Sequence, residues 1–114
     1  MINKEKLHER FMRDSVERRL GNLAATLGRI SSSARDSNTP NTVSDLLDEA
    51  KHLIEWTAAD TESEIAAELV QIQRLITLWQ KSWKSAFGER SQRILLATQA
   101  KQWSDLALQS SGLV

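Results

Sequence analysis

The stretch TESEIAAELVQIQRLITLWQKSWKSAFG, Thr61 to Gly88, decides how this 114-residue chain folds. Within it Ile65, Leu69, Ile72, Ile76, Trp79 and Trp83 follow one another at alternating steps of four and three, the spacing that stacks side chains on one face of a helix. A seam of large apolar groups has to be covered, so the remaining segments are expected to pack around it. Thr61 and Glu64 read as a capping box, Lys81 and Lys84 suit the negative pole of the helix, and Gly88 suits a left-handed closing residue. About 26 residues at about 1.5 Å each give a rod of roughly 39 Å, the width of a small domain.

Working outward, the same period recurs on both sides. Before the central rod, Thr42 with Asp45 reads as the start of a helix whose Val43, Leu46, Leu47, Ala50, Leu53, Ile54 and Thr57 face inward and which ends near Ala58. The connection through Asp60 and Thr61 is so short that the two helices must be antiparallel neighbours. Loop formers around the only proline, Arg35 to Asn41, separate this segment from an earlier one in which Val16, Leu20, Leu23, Leu27, Ile30 and Ala34 repeat the seam. No proline interrupts Asn3 to Ala34, so the first helix reads as long. Asp14 and Glu17 form a second capping-box pattern at which it could break, leaving residues 1–13 as an overhanging or separate helical segment. After Gly88, Ser91 reads as the cap of a last helix carrying Ile94, Leu95, Leu96, Ala100, Trp103, Leu106 and Ala107, with Gly112 just past its end. No strand-like alternation or hairpin dipeptide occurs. The expectation is all-α: an antiparallel up-down bundle of four helices forming a single domain over residues 1–114.

Composition removes several classes of function. Fifteen basic and fifteen acidic residues cancel, so no overall field draws the chain to nucleic acid or an anionic membrane. The absence of cysteine rules out disulfides, thiolate metal ligands and cysteine nucleophiles. The N-terminal MINKEKLHER has no apolar signal-peptide core, and the longest run of large apolar residues, Ile94-Leu95-Leu96, is far below the ~20 residues of a membrane span. A cytoplasmic protein without membrane contact is expected.

Catalytic and metal chemistry find little support. Glu5-Lys-Leu-His8 and Glu49-Ala-Lys-His52 share the Glu-x-x-His spacing that di-iron carboxylate proteins place on bundle helices. On one continuous first helix, however, the two histidines would differ in height by roughly 22 Å at 1.5 Å per residue and could not share an ion. Local pairing of Asp48 with His52 is the simpler expectation. Serines gather at 31–33 and 110–111 without a nucleophile elbow or a base, and no glycine-rich phosphate loop exists. No catalytic residue, cofactor or metal is assigned, and the chain is read as a non-enzyme.

Four tryptophans are the distinctive residues. Trp79 and Trp83 lie on the central seam, near the end shared with the 35–41 loop, whereas Trp56 lies off the Leu46, Ala50, Leu53 face and is the best candidate for an exposed interface anchor. Charge is uneven: residues 1–36 carry a net +3, 37–73 a net −7 and 74–114 a net +4. Helix first turns account for the acidic block of Asp45, Asp48, Glu49, Glu62 and Glu64. Lys81, Lys84, Arg90, Arg93 and Lys101 gather around the last turn as a candidate basic patch for an acidic partner or nucleic acid. Leu7 and Phe11 give the N-terminal segment an apolar edge able to dock a second copy, and Gly21, Ala25 and Gly28 form a small-residue stripe that would let a neighbouring backbone approach.

Ile54-Glu55-Trp56-Thr57, Leu78-Trp79-Gln80-Lys81-Ser82-Trp83 and Gln102-Trp103-Ser104-Asp105 resemble segments of small uncharacterised all-helical proteins of cyanobacteria, over most of residues 15–114. The resemblance implies a helical fold and brings no activity, cofactor or binding residues with it. The functional expectation is a non-catalytic protein acting through protein contacts, foremost as a homodimer, or with another protein. Its alternatives are a small apolar ligand or pigment near Trp79 and Trp83, and, with least weight, nucleic acid on the Lys81 to Lys101 patch.

Overall fold

The apolar seams become helices wherever their period is unbroken. A computed structural model describes residues 3–112. It contains α1 (Lys4–Met12), α2 (Val16–Ala34), α3 (Pro40–Ala58), α4 (Ser63–Ala86) and α5 (Arg90–Ser111), and no strand among the described residues. The all-α expectation stands and the count of four does not, because the chain turns back at Arg13 to Ser15 instead of continuing into α2. Four hydrogen bonds make that turn. The N–H groups of Arg13 and Asp14 close α1 on the carbonyls of Arg10 and Phe11. Ser15 becomes extended, with its Oγ accepting from the Arg18 N–H at 3.2 Å. Arg19 Nε donates to the Asp14 carbonyl at 3.0 Å. The break thus falls beside the expected Asp14, with Ser15 rather than Asp14 as the cap.

The expected seams of α2, α3 and α4 form most of the core, whereas Ile94 and Leu95 of α5 are exposed. Leu69, Ile72, Ile76, Trp79 and Trp83 of α4 are buried, as are Leu20, Leu23, Leu27, Ile30 and Ala34 of α2 and Val43, Leu47, Ala50, Leu53, Ile54 and Thr57 of α3. Side-chain bonds fix the order of the helices. Arg19 reaches Asp60 and Thr26 reaches Glu49, so α2 and α3 are antiparallel; Gln73 reaches Lys51 and Trp83 reaches Pro40, so α3 and α4 are too. Ser31 reaches Ala97 and Ser104 reaches Ala24, which brings α5 back along α2. The radius of gyration is 13.5 Å and the extents are 38 × 28 × 22 Å, close to the ~13 Å of a compact chain of this length.

Several local signals are rewritten by tertiary contacts. Thr61 does not cap α4: its hydroxyl donates to the Ala58 carbonyl at the end of α3, and Glu62 precedes the helix without a side-chain cap bond. Helix α3 begins at Pro40, the position where a missing N–H costs nothing. Asp45, Asp48 and Glu49 therefore lie beyond its first turn, where the helix pole does not account for them. Gly88 is not left-handed, whereas Gly112, at φ 71°, closes α5 in that conformation. No described helix is long and apolar enough to cross a membrane.

Candidate interaction surfaces

Helix α1 folds back along α3, so the N-terminal segment is separate and does not overhang. Phe11 is 4% exposed and Leu7 is half-buried. Of the apolar edge expected to dock a second copy, Phe11 is covered within the chain, whereas Leu7 lines an open groove. The cover is Trp56, half-buried, with the rings of His8, His52 and Phe11 at centroid distances of 4.6, 5.6 and 6.1 Å. The two histidines separated by 22 Å on a continuous helix thus meet across one indole. The turn at Arg13 to Ser15 is the physical reason. Lys4 reaches Asp48 at 3.7 Å, and Asp48 also holds His52, whose Nδ1 lies 2.8 Å from the Asp48 carbonyl and 3.8 Å from its carboxylate. Local pairing of Asp48 with His52 is therefore present. Among the described residues no three histidine or acidic side chains converge to hold a metal ion.

Arg19 was not singled out by the sequence reading, yet it joins three elements. Besides Asp14 it donates through Nη1 to Asp60 Oδ2 at 2.8 Å and to the Trp56 carbonyl at 3.4 Å. Its side chain is 10% exposed. The available signal is an arginine immediately before Leu20, at the edge of the α2 seam.

Between α1, α2 and α3 lies a groove of about 490 Å³ lined by Leu7, Phe11, Ala25 and Leu53, with Arg10, Arg29, Glu49, Asp14 and Asn22 at its sides. Thr26, 2% exposed, donates to Glu49 Oε2 at 3.2 Å and accepts from Arg29 Nη2 at 3.0 Å. No sequence motif announces this group: Thr26, Arg29 and Glu49 meet through the antiparallel pairing of α2 with α3, and Leu7, Arg10 and Phe11 join them only after α1 turns back.

On the opposite flank α4 and α5 scarcely touch. A cleft of about 210 Å³ runs between them, lined by Leu75, Leu78, Trp79, Ser82, Gln92, Leu95 and Gln99. Leu78 is 59% and Leu95 44% exposed, the two most exposed large apolar side chains described. Trp79 forms the floor and donates through Nε1 to Gln99 Oε1 at 2.7 Å. Trp83 lies below a separate cleft of about 400 Å³ with Pro40, Asn41, Ser44, Gln80, Lys84 and Phe87, and donates to the Pro40 carbonyl at 2.9 Å. Both indoles are thus buried with their N–H groups satisfied, at the expected end of the molecule.

The candidate basic patch does not act as one surface. Lys81, Lys84 and Arg90 are exposed, whereas Arg93 turns inward and donates to the Phe87 carbonyl at 2.7 Å, closing the α4–α5 turn. Lys101 pairs with Asp105 one turn along its own helix. Of the small-residue stripe, Gly28 faces Ser104 of α5, and Ala25 lines the groove beside α1. Comparison with protein-family models, with curated proteins and with solved structures finds no match.

Proposed function

We propose that this is a non-catalytic helical protein that works through protein contacts, foremost with a second copy of itself, and that the α4–α5 face makes the contact. The reading takes α2 to α5 as an antiparallel up-down bundle of four helices with α1 added to it. One observation carries it: the two most exposed large apolar side chains among the described residues, Leu78 and Leu95, line the same cleft, above a buried tryptophan. Exposed leucines at one place mark a contact site more often than scattered ones do.

Charge favours a second copy as the occupant. Glu62, Glu64 and Glu68 make the start of α4 acidic, and Lys81 and Lys84 make its end basic. A two-fold axis lying in the interface at right angles to α4 makes the two α4 helices antiparallel and brings the acidic start of each toward the basic end of the other. A chain of zero net charge adds no long-range repulsion between copies. Sedimentation equilibrium should show reversible dimers with a Kd of roughly 10–100 μM, about −5.5 to −7 kcal/mol. Leu78→Glu should leave monomer alone. A wild-type chain that stays monomeric at about 1 mM, far above that Kd, or a dimer that survives Leu78→Glu with Leu95→Glu, removes the proposal.

A further inference from the structure

We infer that the groove between α1, α2 and α3 binds an amphipathic organic anion, its apolar body on Leu7, Phe11 and Leu53 and its carboxylate, sulfonate or phosphate on Arg10 and Arg29. The inference is independent of the α4–α5 contact, which lies on other helices. A volume of about 490 Å³ falls within the ~300–1,000 Å³ of small-molecule sites.

The balance of donors and acceptors selects the sign of the ligand. Asp14 accepts from Asn22 Nδ2 at 3.2 Å, and Glu49 accepts from Thr26 and stands 3.5 Å from Arg29. These two carboxylates equal the two arginines in number, but each already accepts a side-chain bond on this face. The Arg10 side chain has no hydrogen-bond or ion-pair partner among the described residues, and Arg29 uses only Nη2 of its guanidinium. Counting five N–H groups to a guanidinium, about eight of ten remain for a ligand. Such forks match a carboxylate or phosphate in two bonds at once. The buried Thr26 and the Glu49 side chain, 18% exposed, hold Nη2 of the Arg29 guanidinium in place.

The apolar part follows from how α1 rests. It is supported on α3 by Trp56 and leaves a gap to α2 where the facing residue is the exposed Ala25. A larger side chain at 25 would fill the floor. This provides a variant that closes the groove without touching the core.

The test uses the full chain and two probes with the same rings: 1-anilinonaphthalene-8-sulfonate, and N-phenyl-1-naphthylamine, which lacks the sulfonate. Titration followed by backbone amide NMR should give saturable binding of the anion with a Kd of roughly 10–100 μM for a ligand of this size. The shifts should fall in residues 7–14, 22–29 and 49–53. The neutral probe should bind at least about tenfold more weakly, and Arg10→Ala should weaken the anion about tenfold, the range of a charge-assisted contact. Ala25→Leu, with an unchanged circular dichroism spectrum, should weaken both probes by about tenfold or more, as expected when a pocket is filled. Equal affinity for the two probes, shifts confined to residues 75–99, unchanged binding by Ala25→Leu, or no binding at about 1 mM would each overturn the assignment.

Discussion

Helix α5 meets its two neighbours in opposite ways. Toward α2 it presents Ala97, Ala100, Ser104, Ala107 and Ser111 at steps of three and four, and α2 answers with Ala24, Gly28 and Ser31. Side chains this short let the backbones approach until hydroxyls span them: Ser31 Oγ donates to the Ala97 carbonyl and Ser104 Oγ to the Ala24 carbonyl, both at 2.7 Å. Toward α4 the same helix presents Leu95 and Gln99 across an open cleft, joined by the bond from Trp79. Close approach needs little side-chain volume, and it fixes the rotation of α5. With that rotation set by α2, only Leu96 of the run Ile94-Leu95-Leu96 can face inward. The leucine left over is what a partner can reach.

If the α2–α5 contact is as close as this, volume added there should be the most damaging change. Ala100→Leu forces the helices apart and should cost ~3 kcal/mol or more, read as a lower denaturant midpoint. A loss below ~1 kcal/mol would mean that the interface can relax like the α4 side. The hydroxyl bridges come next. Ser104→Ala removes one hydrogen bond and should cost ~1 kcal/mol, and a double-mutant cycle with Ser31→Ala shows whether the two bridges act together. Gly28→Ala sharpens the picture from the other direction. Its new methyl would meet Ser104 Oγ at 3.5 Å, an ordinary contact, so the helix preference should raise stability by roughly 0.5–1 kcal/mol. On the open side Leu78→Glu should change the stability of the monomer by no more than ~0.5 kcal/mol, measured at low protein concentration, while removing self-association.

Most core positions were legible because they depend only on period. Every residue of the expected α2 seam from Leu20 to Ala34 is buried, and so is the α4 seam from Leu69 to Trp83. Helix ends were less legible. A threonine hydroxyl can serve the helix behind it as readily as the one ahead, and Thr61 bonds to Ala58 of α3. Candidate sites were least legible. Trp56 stood out as an off-face tryptophan, but what meets it, α1 with His8 and Phe11, depends on a turn marked by only Asp14 and Ser15. Arg10 and Arg29 carry no motif: the pairing of α2 with α3 brings Arg29 to Glu49, and Arg10 joins them only through that turn.

The order of residues alone therefore determined that the chain is helical, where its seams run and that its charges balance, since these follow from spacing and composition. Tertiary structure decided that α1 reverses onto Trp56, that α5 is rotated to press its small side on α2, and hence which apolar residues stay exposed. A helix period says which residues share a face. It does not say which of several faces a neighbour will take, because that choice is made by side-chain volumes and by bonds between segments far apart in the chain.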